Sequence, residues 1–238
     1  MSIAQALQSI ASPLRTRKGE STRAAIVQVA VAIARRDGLE GLTIGAVAEA
    51  AGMSKSGVFA HFGSREDLQL AVLKAYAERF VDEVLRPAVR EPRGLPRLSA
   101  LLENWVEFLI RELEQGCLMI SGASEYDDRP GALRDAMVAI VQGWNQELLR
   151  AIGLAKSEGH LRADADSEQL AFEIYGLMLA MHQEARLLRS AQSPARVRIG
   201  LARLISGVSA TEPAPASSPR DAQVTRNSTP ATKTTSRR

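Results

Sequence analysis

Residues 43–68 read TIGAVAEAAGMSKSGVFAHFGSREDL, two short helical segments set between three cap signals. Thr43 stands where its side-chain oxygen caps a helix whose Ile44, Val47, Ala48 and Ala51 share one face, and Gly52 stops it. Ser54 opens a second short helix, predicted over 55–61, and Gly63 closes it. Ser64 with Asp67 three positions on has the capping-box pattern and starts a long amphipathic helix through Leu68, Val72, Ala75 and Phe80 to about Leu85. Two helices joined through Ala51-Gly52-Met53 have the geometry of a helix-turn-helix, because glycine permits the tight turn from which the second helix projects. Such a helix has the width of the DNA major groove, where each base pair shows a distinct donor and acceptor pattern. The spacing turns Lys55, Ser56, Phe59 and Ala60 outward, with Val58 and Phe62 inward against the neighbouring helices.

Outward from this stretch the apolar spacing stays helical, so the fold class is all-α. Upstream, a helix is predicted over 20–36, with Ile26, Val27, Ala30, Ile33 and Ala34 on one stripe and Gly38 at its end. Downstream, Pro87, Pro92, Gly94 and Pro96 mark a break before a larger helical body. Its helices are predicted over 96–114 (Leu98, Leu102, Trp105, Leu109), 130–156 (Leu133, Met137, Val141, Trp144, Leu148, Ile152), 167–191 and 194–208. The reading divides the chain into a helix-turn-helix DNA-binding head at 1–65, a larger helical body at 66–210, and a disordered basic tail at 211–238. In that tail Pro, Ser, Thr, Ala and Arg dominate, and Val224 is the one large aliphatic residue.

The 238 residues are 45% hydrophobic and 24% charged, a globular composition with room for a sizeable core. The net charge of +3 is unevenly spread. Lys and Arg against Asp and Glu number 8 to 4 over 1–65, 17 to 21 over 66–210 and 5 to 2 over 211–238. A basic head and tail around an acidic body suggest that the ends meet a polyanion. Cys117 is the sole cysteine, which rules out an intrachain disulfide and a paired CxxC zinc site and fits a cytoplasmic location. No run approaches the length of a membrane span. Arg15, Arg17 and Lys18 ahead of Ala24–Ala34 imitate a signal peptide, but Gln28 interrupts the run and Arg35-Arg36 follow at once, while the same stretch works as a helix.

The residues resemble the TetR-type transcriptional regulators. The resemblance is carried by Arg23, Ile26, Val27, Val29, Ala30, Ile33 and Gly38, by Thr43, Val47, Ala48 and Ala51-Gly52-Met53-Ser54, and by Gly57-Val58-Phe59-Ala60-His61-Phe62 with Ser64-Arg65-Glu66-Asp67-Leu68. It covers residues 20–68 in order and spacing, whereas the body matches the family's ligand-binding and dimerisation domain only in pattern. The resemblance implies that Thr43 and the start of the second short helix hold phosphate, that Ser54, Lys55 and Ser56 lie at the groove end of the recognition helix, and that His61 and Arg65 meet the DNA backbone. Phe59 stands where the family commonly has Tyr, keeping the ring and losing a hydroxyl. Arg65 stands where Lys is commoner, and Ala34 replaces an aromatic residue. With Lys55 as the single long cation of the recognition helix, base reading leans on few hydrogen bonds and on DNA shape. Arg15, Arg17 and Lys18 ahead of Arg23 are a candidate flexible arm for the minor groove, or a merely solvated basic lead.

In the body, Trp105, Phe108, Met119, Trp144, Tyr175, Met178 and His182 are candidates to line a small-molecule cavity, against the plain alternative that each is core. Glu125, Asp127 and Asp128 beside Arg129 read as a solvated loop rather than a cation site, and Cys117 as inert packing. No GxxxxGK[ST], HExxH or GxSxG motif is present, so no catalytic, metal or cofactor site is expected. The function expected is a ligand-responsive, sequence-specific DNA-binding regulator. It would be a repressor released from its double-stranded operator by an unidentified small-molecule effector, with no membrane partner. Few base contacts per recognition helix call for a homodimer, with 167–191 and 194–208 as its interface. The competing reading is a helical small-molecule-binding protein or enzyme with a vestigial head.

Overall fold

The computed structural model describes residues 3–10 and 17–210. The expected tail at 211–238 and Arg15 of the proposed arm lie outside the described residues. Eleven α-helices and one π-helical turn follow one another, with no strand among the described residues. The head contains α2 (Arg17–Gly41), α3 (Ile44–Ala50) and α4 (Lys55–Phe62). The long helix α5 (Arg65–Phe80) leads into the body, made of α6 (Arg86–Val89), α7 (Leu95–Glu112), α8 (Leu118–Tyr126), α9 (Ala132–Ser157), α10 (Ser167–Arg186) and α11 (Ser193–Val208). A further helix, α1 (Ile3–Ser9), precedes the head in sequence but packs on α9. No helix of the described residues is long and apolar enough to cross a membrane.

Local signals set the head. The Thr43 side chain accepts from the Ala46 amide, that of Ser54 from Gly57 and that of Ser64 from Asp67, so each helix start has an amide capped as its sequence predicts. Gly52 takes φ 63° between α3 and α4, a conformation a side chain would strain. Ile26, Ala30, Ala34, Val47, Val58, Phe62, Leu68 and Val72 are buried together and hold α4 against α2 and α5.

Several boundaries depart from expectation. Helix α2 extends past residue 36, broken at Gly38 (φ 78°, ψ 169°), because a further turn to Gly41 stacks on the body. The helix starting at Ser64 does not stop at Leu85. Its register slips into a π turn over Val81–Leu85, and the helix resumes through Pro87 to Val89. Pro87 lacks an amide hydrogen, and the widened turn gives its ring room beside the preceding carbonyls. Two helices were not anticipated. In α8, Cys117 stands at the amino end without a side-chain cap bond, leaving little local signal. In α1, residues that precede the candidate arm are anchored: Ile3 is 1% exposed. A Cβ on Gly143 of α9 would lie 2.6 Å from the Ile3 Cα, so only glycine admits this approach. Arg17 opens α2, while Arg15 and the side chains of Arg17 and Lys18, which would distinguish a minor-groove arm from a solvated basic lead, lie outside the described residues.

Candidate nucleic-acid interface and internal cavity

The outer surface of α4 is polar at its start and apolar further on. Ser54, Lys55 and Ser56 are exposed at its amino end, and Ser54 and Ser56 hydroxyls lie 3.1 Å apart. The Lys55 stem rests beside Gly45 of α3, and its ammonium makes no ion pair among the described residues. Phe59 is 54% exposed, an aromatic ring held in solvent one turn on. Thr43 lies exposed on the same side, with its oxygen used in the cap, and His61 is half-buried at the far end of α4. An exposed helix start with adjacent hydroxyls and a cation is suited to an anionic backbone.

Arg65 is placed differently from the others. Its guanidinium donates to the Leu42 carbonyl at 2.8 Å, to the Glu40 carbonyl, and to the Glu40 carboxylate at 3.1 Å. It therefore clamps the end of α2 to the start of α5. Glu40 also accepts from the Tyr126 hydroxyl at 2.6 Å, which with Arg65 holds its carboxyl below the usual range despite partial desolvation.

Behind this clamp runs a polar seam between head and body. Glu125 of α8 accepts from the Leu39 and Glu40 amides at 3.0 and 2.8 Å, capping the α2 segment that follows Gly38. This residue is not the freely solvated carboxylate its composition suggested. Deeper, Glu112 at the end of α7 is fully buried. Its carboxylate pairs with Arg35 of α2 at 2.8 Å and Arg79 of α5 at 3.1 Å, and accepts from the Tyr76 hydroxyl at 2.6 Å. Burial and the Glu112 charge push the Tyr76 hydroxyl's acidity far out of the physiological range. Arg35 also donates to the Gln115 side chain at 2.7 Å. None of these contacts had a sequence signal, because each joins residues 33 or more apart.

The body holds an apolar cavity of about 40 Å³ between α5, α7, α9 and α10, bordered by Ile3 of α1, by Cys117, Met119 and Ile120 at α8, and by Leu179, which is 38% exposed. That is room for roughly two or three water-sized bodies, so a larger occupant requires the rings to move. Of the seven candidates, Trp105, Met119, Trp144, Tyr175 and Met178 line it. Phe108 and His182 do not. Phe108 is fully buried behind Phe80, packing edge-on at 5.1 Å, with Tyr76 edge-on at 5.9 Å. His182 is a buried histidine on α10 whose protonation is disfavoured by burial and then by Arg186. Phe80, Ile140 and Leu179 are lining residues that periodicity did not separate from ordinary core. Burial also pushes the Cys117 thiol up, away from reactive thiolate.

Comparison with known proteins agrees with this geometry. The model described as bacterial regulatory proteins, tetR family, matches residues 26–72, and that described as Tetracyclin repressor-like, C-terminal domain, matches 94–201. The chain is 26% identical over 171 residues to the transcriptional regulator AcuR of Cereibacter sphaeroides, covering 67% of this chain and 77% of that protein. A TetR transcriptional regulator from Chloroflexus aurantiacus superposes with a TM-score of 0.75 at 27% identity, over 82% of this chain and 98% of that one. A regulator from Saccharomonospora viridis, solved in complex with choline, shares the fold with a TM-score of 0.70 at 20% identity, over 81% of this chain and 100% of that one.

Proposed function

The chain belongs to the TetR family of bacterial regulatory proteins and is a DNA-binding transcriptional regulator, and from that premise we propose a dimeric repressor released from its operator by a small molecule in the body cavity. The observation that carries the reading is α5, which joins the two sites in one rigid element. Its first residue, Arg65, lies at the head clamp and its last, Phe80, in the cavity wall. Sixteen helical residues separate effector from DNA by about 24 Å at 1.5 Å per residue. An effector that opens the narrow cavity displaces Phe80, and the far end of the helix carries α4 with it. Only a ligand that prefers the opened conformation shifts the population in this way.

In this reading Ser54, Lys55 and Ser56 meet the groove and its edge, while Thr43, Phe59 and His61 flank them. Arg65 reaches phosphate only through the surface its bonds to Glu40 and Leu42 leave exposed. Two heads are required, spaced ~34–36 Å for successive major grooves. Apolar residues exposed on α10 and α11 suit a twofold contact: Phe172 (74%), Leu179 (38%) and Ile199 (53%), with Leu187 (70%) and Leu188 (68%) just beyond α10. The protein binds and switches, with no reaction assigned to it.

The test is retardation of the gene's own upstream DNA by full-length protein, with salt and competitor DNA varied. A preferred fragment with affinity falling steeply in salt is expected. Retardation indifferent to sequence would overturn the operator reading.

A further inference from the structure

Helix α1 occupies space that would otherwise extend the cavity. Ile3, Ala6, Leu7 and Ile10 are buried, and Ile3 both borders the cavity and sits on Gly143 of α9. The backbones meet so closely there that a Cβ on Gly143 would lie 2.8 Å from the Ile3 amide nitrogen. The Lys74 ammonium of α5 donates to the Ile10 carbonyl at 3.1 Å. Withdrawing Ile3 therefore joins the cavity to the seat of α1. A larger occupant needs the rings to move, and Trp144 is edge-on to Phe80 at 4.7 Å and to Trp105 at 4.8 Å. Rings interlocked in this way move only into space that another wall gives up. The walls differ in how readily they yield. Helices α5, α7, α9 and α10 run for 16 to 26 residues. The nine-residue α8 is fastened to the head through Glu125 and Tyr126. Helix α1 has seven residues, too few to hold a helix in water without outside contacts, and it packs on α9 and α5, two of the elements around the cavity.

We propose that α1 is a built-in plug: the cavity and the seat of Ile3 and Leu7 form one binding site for a largely apolar molecule too large for about 40 Å³, and that molecule and α1 exclude each other. The lining sets the ligand class, since it offers aliphatic and aromatic carbon and no charged side chain, its polar groups being those of Tyr175, Cys117 and the two tryptophans. The inference rests on the reading of this cavity as the effector site. A molecule that takes the place of Ile3 lies against Ala77 and Phe80 of α5, the helix that leads to the head. The affinity of the site is then set by how often α1 is unseated, because only that fraction of the protein can bind.

Both of the chain's tryptophans line the cavity, so their contact quenching by 1-bromonaphthalene, a probe too large for the closed cavity, reports its entry into the full-length protein. Amide hydrogen exchange over residues 3–10 reports whether α1 is seated. In the wild type, bound probe is expected to speed that exchange. Two variants unseat α1 without altering the cavity lining, since neither Gly143 nor Leu7 belongs to it. Gly143→Ala suits α9 as a helix and collides with the Ile3 backbone, and Leu7→Ala removes a buried anchor. Each should exchange quickly over 3–10 without the probe. Each should also bind the probe about 10-fold or more tightly than wild type, the ratio for an open form populated at roughly a tenth or less. The wild-type exchange result stands even where a variant fails to fold. Slower exchange over 3–10 with probe bound, as for a helix that closes over its ligand, overturns the proposal. Unchanged exchange, as for entry beside Leu179, also overturns it, as does unimproved affinity in variants whose α1 is unseated. In those outcomes the probe still binds and the cavity reading survives. Absence of quenching in all three proteins overturns both. Probe that displaces α1 yet leaves operator retardation unchanged overturns the effector reading and leaves the plug standing.

Discussion

The outer face of α4 and the seam around Glu112 are both polar, but they use polar groups in opposite ways. On α4, Lys55 and Ser56 are exposed and Lys55 has no ion pair among the described residues. Along the seam, Glu112 is bound by two arginines and a tyrosine, and Glu125 by two backbone amides. A group left to solvent contributes little to folding and keeps its capacity for a partner. A buried group committed inside the protein has no such capacity, and losing any one contact exposes the rest to a desolvation cost. The difference predicts that stability and DNA affinity can be altered separately.

The largest separation should come from Glu112→Ala. It leaves Arg35 and Arg79 facing each other without a counter-charge, although their side chains keep 12% and 35% exposure. We expect a loss of about 3 kcal/mol, and so a Tm lower by roughly 6–12 °C in thermal unfolding. A Tm unchanged by this substitution would mean the seam holds nothing together.

Lys55→Ala tests the opposite side. Operator affinity should fall about 10-fold in a binding titration, by ~1–3 kcal/mol for one lost charged contact, with Tm unmoved. A Tm change comparable to that of Glu112→Ala would erase the distinction between the two surfaces.

The smallest effect belongs to His182, a buried group whose Nε2 has no partner. Its folded-state pKa is lowered from the ordinary 6.5, first by burial and then by Arg186. The unfolded chain therefore takes up a proton more readily than the folded one, so stability is lost as pH falls through the ordinary value and is present above it. His182→Asn should flatten the decline in Tm between pH 7.5 and pH 5.5. A variant whose decline matches wild type would show that another group sets it.

How much could be read beforehand follows the same division. Helices α3 and α4 were legible almost to the residue, because Thr43, Ser54 and Ser64 cap their own chains and Gly52 turns within its own four residues. The exposed face of α4 followed from periodicity alone. In the body, helical spacing identified Trp105, Trp144, Tyr175 and Met178 as inward, and they do meet around a cavity. It assigned Phe108 and His182 to the same wall because a stripe records which side of a helix is inside and not where packing leaves a gap. Helix α8 has no cap bond at its amino end, and α1, although its Ile3, Ala6, Leu7 and Ile10 share one face, packs mainly on the distant α9, so its docking had no local signal. The acidic run at 125–128 looked like a loop because Glu125 finds its partners 86 and 85 residues upstream.

The docking of α1 on α9 also orders events as the chain is made. Ile3 leaves the ribosome early, yet the groove at Gly143 that receives it is synthesised 140 residues later. Until then the recognition module can assemble from its own local signals while the cavity lacks a wall. The local caps of the head are thus complete in the chain before the residues that wall the cavity beside Ile3 have been made.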